Sequence, residues 1–217
     1  MIMYVVGFLS QLFFSARTLL QWLMSEKTKQ VVSPTIFWIF SLLGSYLMFI
    51  YGWMREDFSI LLGQLITYYI YIWNLDEKGT WKQLHSLLKI IIIITPVVAI
   101  AYVIGKEDEF IRSFFKNTNV PIWLLVFGSI GQIIFTLRFV YQFFYSVKRN
   151  ESMLPMGFWV LSLVGSLIIV IYAIIRKDLV LGLGQSVGFI AYIRNIMIDL
   201  KHPADDTAKA KHQETQV

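Results

Sequence analysis

Two arginines lie inside apolar stretches whose length is typical of membrane-spanning helices. Arg17 lies in the apolar run from Tyr4 to Met24, and Arg138 lies in a later run at 120–145. A guanidinium at such a depth costs at least a few kcal/mol unless polar or charged groups face it. The N–H donors of a planar guanidinium can bond two oxygens of one anion. We therefore expect the two arginines to bind an anionic headgroup, with phosphate as the first choice.

Both arginines belong to an internal repeat. A shift of 121 residues aligns residues 7–75 with residues 128–196 without a gap, and 24 of the 69 aligned positions are identical. The segment QLFFSARTLLQWLMSE at 11–26 then aligns with QIIFTLRFVYQFFYSV at 132–147. At a turn of about 100° per residue the identities share one face of each predicted helix. Since polar groups in lipid must find partners, these faces should turn toward each other or toward a wet cavity.

The polar and aromatic residues retained on these faces are the predicted substrate-binding residues. They are Arg17, Arg138, Gln21, Gln142, Gln11, Gln132, Trp38, Trp159, Gln64, Gln185, Asn74 and Asn195. Structural interpretations stand beside this one. Arg17 would snorkel to the cytoplasmic headgroups if its helix end lies within reach, and Gln64 and Gln185 would bond to each other or to backbone across a helix interface.

The composition identifies an integral membrane protein. The chain is 57% hydrophobic and 15% charged, which is too apolar for an ordinary soluble domain. The formal charge of +5 is assigned to lysines that flank spans, and not to nucleic-acid binding. No cysteine is present, and the three histidines fall in a loop and the C-terminal tail, so we expect no metal site and no cofactor.

Seven apolar runs are long enough to cross a bilayer. They lie at 4–24, 34–54, 58–75, 88–105, 120–145, 155–175 and 179–199. The first three and the last three form the two copies, and the fourth matches neither. Because a three-span unit ends on the side opposite to its start, a parallel second unit needs one extra crossing. The sequence thus predicts an all-α membrane protein of 3+1+3 helices: a first repeat at 1–77, a linker with the inversion helix at 78–119, a second repeat at 120–200 and a disordered tail at 201–217.

The orientation follows from the basic residues outside the predicted spans. The loops after the first, third and fifth runs, together with the tail, hold ten lysines and arginines, and the opposite side holds six. The positive-inside rule then places the N-terminus outside and the C-terminus in the cytoplasm.

A longer motif, Q-x2-F-x2-R-x3-Q-W-x2-S-E, lies at Gln11–Glu26. It is followed by Pro34, Phe37 and Trp38, and then by Gly63-Gln64, Tyr71 and Asn74. Together these residues resemble the lipid A biosynthesis N-terminal domain. This membrane module is named for its fusion to lipid A disaccharide synthases, and both copies match it. The resemblance implies a bacterial inner membrane location. The family is similar in turn to the PQ-loop group of SWEET sugar transporters, except that Thr35 and Met156 replace the glutamine after the proline.

Three functions follow from these observations and the resemblance. The first is a transporter, flippase or scramblase for an anionic, phosphate-bearing lipid-linked intermediate of envelope or lipid A type biosynthesis. The second is a SWEET-like carrier of small neutral sugars, against which the paired arginines argue. The third is a non-transporting subunit that anchors a cytoplasmic glycosyltransferase. We expect no enzymatic activity, because between their ends the runs lack the aspartate, glutamate and histidine of the usual catalytic sets.

Overall fold

The computed structural model describes residues 2–54, 58–104, 121–177 and 179–203, and within them every regular element is a helix. The α-helices are α1 (Ile2–Thr28), α2 (Thr35–Met54), α3 (Phe58–Glu77), α4 (Ser86–Ile104), α5 (Ile122–Val147), α6 (Met156–Arg176) and α7 (Leu179–Lys201). A short 3-10 turn at Trp81–Gln83 joins α3 to α4. Each predicted apolar run therefore corresponds to one helix, which confirms the all-α class.

Three of these helices are long and apolar enough to cross a membrane. They are α1, α5 and the segment Met156–Ile175 of α6, while Thr35–Tyr51 and Ser86–Val98 are shorter apolar segments. The remaining crossings stay predictions. The C-terminal tail from residue 204 and the linker from 105 to 119 lie outside the described residues.

The helices of each copy pack in chain order. Helix α1 packs on α2 and α2 on α3, and in the same way α5 packs on α6 and α6 on α7. The two sets meet where α1 contacts α7 and where α3 contacts α5. A buried aromatic cluster that draws on both copies fills the centre, with Trp38, Tyr71, Phe139, Phe158 and Trp159 among its members.

The turn between the first two helices has the same backbone in both copies. Lys29 and Asn150, which are 121 residues apart, both adopt a positive φ, of 56° and 50°. This left-handed conformation directly follows α1, whereas it comes three residues after the end of α5, and in both turns it redirects the chain. Pro34 and Pro155 each stand one residue before the next helix, and their carbonyls accept the N–H groups of the residues three positions later.

Helix α4 lies at the periphery and contacts only α2 and α3 among the helix pairs with substantial packing. Pro96 lies inside this helix and has no N–H to offer the carbonyl of Ile92, four residues earlier. The hydroxyl of Tyr68 on α3 donates to that same carbonyl at 2.9 Å. The nearby hydroxyl of Tyr69 donates to the carbonyl of Ile93 at 3.2 Å. Tyr68 therefore satisfies the backbone group that the proline leaves free, and in doing so holds α4 against α3.

This arrangement predicts that the cost of losing the Tyr68 hydroxyl depends on Pro96. Tyr68→Phe should lower the free energy of unfolding by about 1 kcal/mol, because the Ile92 carbonyl loses its donor in an apolar setting. In a Pro96→Ala background the same change should cost less, since alanine has the backbone N–H that proline lacks. Denaturation of the purified protein by SDS in mixed micelles would measure both values.

Tyr69→Phe is the matched control, because Val97 retains a backbone N–H for the carbonyl of Ile93. Its effect should be small and independent of Pro96. Equal costs of Tyr68→Phe in both backgrounds would contradict this account of the α3–α4 contact.

Candidate functional site

Arg17 points into the interior of the first copy. It lies on α1 and is 6% exposed. Its Nη1 donates to the hydroxyl of Ser41 on α2 at 2.8 Å and to the hydroxyl of Tyr71 on α3 at 3.2 Å. One guanidinium nitrogen on α1 thereby connects to both α2 and α3.

Arg138 repeats this geometry in the second copy. It is 4% exposed, and its Nη1 donates to Ser162 on α6 at 3.2 Å and to Tyr192 on α7 at 3.3 Å. Ser162 and Tyr192 are the counterparts of Ser41 and Tyr71 at the 121-residue offset. The repeated residues therefore carry a repeated three-helix contact.

Aromatic rings surround both guanidinium groups. The Cζ of Arg17 lies 4.6 Å from the ring centre of Phe14, and the Cζ of Arg138 lies 3.4 Å from that of Phe135. The ring of Phe139 contacts both groups, at 5.2 Å from Arg17 and 4.7 Å from Arg138. The negative faces of the rings provide part of the compensation that a buried cation needs.

Each arginine keeps a buried donor without a partner. The Nε atoms of Arg17 and Arg138 are shielded from solvent and make no hydrogen bond. The hydrogen-bond and ring partners that the described residues supply to the two groups are hydroxyls and aromatic rings, and none is a carboxylate. A buried donor without a hydrogen bond costs about 1–3 kcal/mol, so a further hydrogen-bond acceptor would stabilise both arginines.

Two reciprocal amide pairs join the copies. Gln21 donates to the side-chain oxygen of Asn195 at 2.9 Å and accepts from its nitrogen at 3.0 Å. Gln142 and Asn74 form the equivalent pair, at 2.9 Å and 3.2 Å. All four residues are fully buried. These predicted site residues are brought together by the structure, and their amide groups bind one another.

The amide pair of Asn74 extends into a longer hydrogen-bond chain. Ser152 donates to Asn74 at 2.7 Å and lies 3.3 Å from the hydroxyl of Ser33, which accepts from the indole N–H of Trp38 at 2.9 Å. The counterpart of Trp38 has no such acceptor, because Leu154 stands in the position of Ser33. The indole nitrogen of Trp159 is accordingly buried without a partner.

A bidentate ion pair further joins α1 to α7. Arg194 donates to both oxygens of Glu26, at 2.6 Å and 3.0 Å, and the indole N–H of Trp22 donates to the same carboxylate at 3.0 Å. The counterparts of the ion pair are apolar. On that side Trp73 packs edge-on against Phe143 at 5.1 Å between ring centres.

The other predicted site residues lie apart from the arginines' hydrogen bonds. Gln11 and Gln132, which precede the arginines by six residues each, are exposed. Gln64 accepts from Ser45 within the first copy at 2.9 Å, and Gln185 is half-buried. Trp38 and Trp159 are among the fully buried side chains, so their rings serve the packed centre.

Sequence reasoning missed the hydroxyl groups and the ring that the arginines contact. Tyr71 and Tyr192 are identical in both copies, and this retained register was the signal for them. Phe139 gives no repeat signal, since its counterpart is Thr18. Asp199 is also buried, at the end of the last predicted span. No group of histidine, aspartate and glutamate that could hold a metal ion occurs among the described residues.

Comparisons with known proteins agree with the repeat. The family model of the Lipid A Biosynthesis N-terminal domain matches residues 6–76 and again residues 127–197. The chain is 29% identical over 206 residues to a lipid-A-disaccharide synthase of Chlamydia muridarum and 28% identical over 209 residues to one of Chlamydia caviae. These alignments cover 90% and 92% of this chain but 34% and 33% of the relatives, so the chain spans about a third of their length. No solved structure matches the chain.

The paired amides predict a measurable coupling between the copies. Gln21→Leu and Asn195→Leu should each lower the free energy of unfolding, because each leaves a buried amide unpaired. The double variant should lose less than the two single costs combined, with a coupling on the order of 1 kcal/mol. Unfolding in mixed micelles of the four proteins gives the coupling directly.

Gln11→Leu combined with Asn195→Leu is the control, since Gln11 is exposed and makes no contact with that amide pair. Its effects should be additive. A coupling between Gln21 and Asn195 no larger than the control would contradict the pairing.

Proposed function

Because the chain belongs to the lipid A biosynthesis N-terminal domain family, we propose that it is a membrane module that binds a phosphate-bearing lipid-linked intermediate of envelope or lipid A type glycolipid biosynthesis and moves it across the membrane. The observation that carries this proposal is the pair of inward, aromatic-lined arginines with unpartnered Nε atoms. Uncompensated guanidinium groups in an apolar interior favour an anionic ligand.

The proposed architecture is two parallel three-helix bundles at 1–77 and 120–200, joined by α4 as an inversion linker. Three observations support it. The Arg17 and Arg138 contacts repeat at the 121-residue offset. Each amide pair joins one copy to the other. The ring of Phe37 lies 6.5 Å from the ring of its counterpart Phe158, measured between ring centres. Counterpart residues that touch each other lie beside the axis that relates two units. Repeats related by an axis along the membrane normal are a recurrent transporter plan with the site at their interface.

The proposed orientation puts the N-terminus outside the bacterial inner membrane and the C-terminus in the cytoplasm. The cross-copy amide pairs and the Glu26–Arg194 ion pair then lie toward the cytoplasmic side of the arginines. Gln11 and Gln132 lie toward the outer side and are exposed. We infer that the module is closed on the cytoplasmic side in this state, and that the two glutamines lie along the outer approach to the arginines.

A non-transporting role is the second candidate, and the length of the relatives favours it. Proteins named as lipid-A-disaccharide synthases carry about two thirds of their length outside the matched region. The module would then anchor a cytoplasmic glycosyltransferase and present a lipid substrate to it. Flux of a fluorescent phospholipid in proteoliposomes of the purified protein separates the two, because only the transporter moves lipid without the partner.

The arginine fork predicts a graded response to substitution. Arg17→Lys and Arg138→Lys keep the charge but lose the second donor edge, so each should weaken binding of a phosphate-bearing lipid several-fold. Arg17→Gln and Arg138→Gln should nearly abolish it. Binding and flux are measured for the four variants at matched expression. Full activity of both lysine variants would contradict bidentate phosphate binding by the arginines, because lysine can replace an arginine that only snorkels to the headgroups.

The absence of a carboxylate or histidine among the described arginine contacts predicts movement that is independent of a proton gradient. Proton-coupled carriers generally use an intramembrane carboxylate or histidine. An imposed pH gradient should therefore not drive lipid accumulation in proteoliposomes, and Asp199→Asn should leave flux unchanged, since Asp199 lies at the far end of α7. Uphill accumulation that disappears in Asp199→Asn would assign proton coupling to this carboxylate and refute the prediction.

A further inference from the structure

We propose that Arg17 and Arg138 together form a single site for one lipid phosphomonoester, in preference to a phosphodiester. This inference rests on the proposed phosphate-binding function and specifies its ligand class. Three observations carry it: the two guanidinium groups share one neighbour, their charges lack a counter-charge among their contacts, and the groups around them offer donors that nothing uses.

The shared neighbour places both charges at one location. The ring of Phe139 lies within cation–π distance of both Cζ atoms, so these atoms are no farther apart than the sum of 5.2 Å and 4.7 Å. The counterpart of Phe139 in the first copy is Thr18, whose hydroxyl bonds to its own helix at the carbonyl of Phe14. A single ring, supplied by the second copy alone, is therefore shared by the two guanidinium groups, and one ligand in its place would reach both.

The charge of the site selects between two classes of phospholipid headgroup. Two guanidinium groups together carry two positive charges. A phosphomonoester carries about −1.5 to −2 near neutral pH, whereas a phosphodiester has one ionisable oxygen and carries −1. In an apolar interior an uncompensated charge is costly, so the monoester fits the pair and the diester leaves one cation without a partner.

The unused donors favour the same ligand. The Nε atoms of both arginines are free, and the hydroxyls of Tyr71 and Tyr192 accept from the arginines, which leaves their own hydrogens to donate. The serine hydroxyls differ: Ser41 and Ser162 already donate to backbone carbonyls at 2.6 Å. Four donors are thus available to a group that supplies acceptors only. A monoester offers three terminal oxygens and a diester two.

The ring of Phe139 occupies this position. It contacts both cations, and it makes edge-to-face contacts with Tyr71 at 5.0 Å and with Phe158 at 5.2 Å between ring centres. A phosphate in the same place exchanges a weak attraction to a ring for charge-assisted hydrogen bonds. Ligand binding therefore requires the ring to swing away from the guanidinium groups.

The test compares a phosphomonoester lipid with a phosphodiester lipid, which differ in headgroup charge and in the glycerol that the diester carries. The full chain is placed in phosphatidylcholine nanodiscs that contain phosphatidic acid or phosphatidylglycerol at equal mole fraction, near pH 8, and bound lipid is counted by native mass spectrometry. We expect one phosphatidic acid per chain and a preference over phosphatidylglycerol of about 10-fold, the size of one charge-assisted hydrogen bond gained. Equal, arginine-dependent binding of both lipids would overturn the monoester selectivity and leave the proposed function standing.

Variants separate charge from fold and from the proposed function. Arg17→Gln and Arg138→Gln should abolish the preference, while the lysine variants should bind more weakly and keep it, because they keep both charges. If neither class of substitution alters lipid binding, the proposed function fails together with the inference. Retention of phosphatidic acid against a tenfold excess of inorganic phosphate is expected, and displacement would assign the site to free phosphate and overturn the lipid ligand.

Phe139→Leu tests the displaced ring. This variant should bind phosphatidic acid at least as tightly as the unmodified chain, because the competing ring is gone. Phe49→Leu is the matched packing control, since Phe49 is equally buried and packs on Tyr68 away from the arginines. Weaker binding in Phe139→Leu but not in Phe49→Leu would overturn the displacement and make the ring part of the bound site.

Discussion

The cost of a guanidinium group in an apolar interior is the constraint on which the rest of this structure depends. Arg17 and Arg138 can be buried only because a serine, a tyrosine and several aromatic rings converge on each of them from neighbouring helices. Those hydroxyl partners lie on the second and third helices of each copy. The arginines therefore dictate how three helices assemble, and the same contacts leave one donor edge of each group available for a ligand.

The buried amides of Gln21 and Gln142, four residues after each arginine, have a different role. Gln21 with Asn195 and Gln142 with Asn74 close the interface between the copies by paired amides, in which each member both donates and accepts. Such a pair is specific in register, because a shift of either helix leaves buried amides unsatisfied. The residues that hold the copies together are thus adjacent to those proposed to bind the ligand, and any movement of one copy against the other must exchange these bonds.

The repeat is exact in the hydrogen-bond partners of its arginines and inexact around them. One side of the interface carries the Glu26–Arg194 ion pair, and the opposite side carries the packed rings of Trp73 and Phe143. Phe139, which touches both guanidinium groups, comes from the second copy alone. The two sides of the interface between the copies therefore differ, as those of a strictly symmetric dimer of one repeat would not.

The sequence by itself determined the all-helical class, the seven helices of the described residues, the repeat and its register, and the two inward arginines, because hydropathy and a constant offset are properties of the linear chain. The tertiary structure decided which partners the polar residues take. By sequence alone, Asn74 and Asn195 suit contacts to a ligand and contacts to another helix equally well. The structure pairs their amides with those of Gln142 and Gln21. The position of Phe139 could not be predicted for the same reason: a phenylalanine in an apolar run carries no signal, and only the distances from its ring to both guanidinium groups show that it contacts both charges.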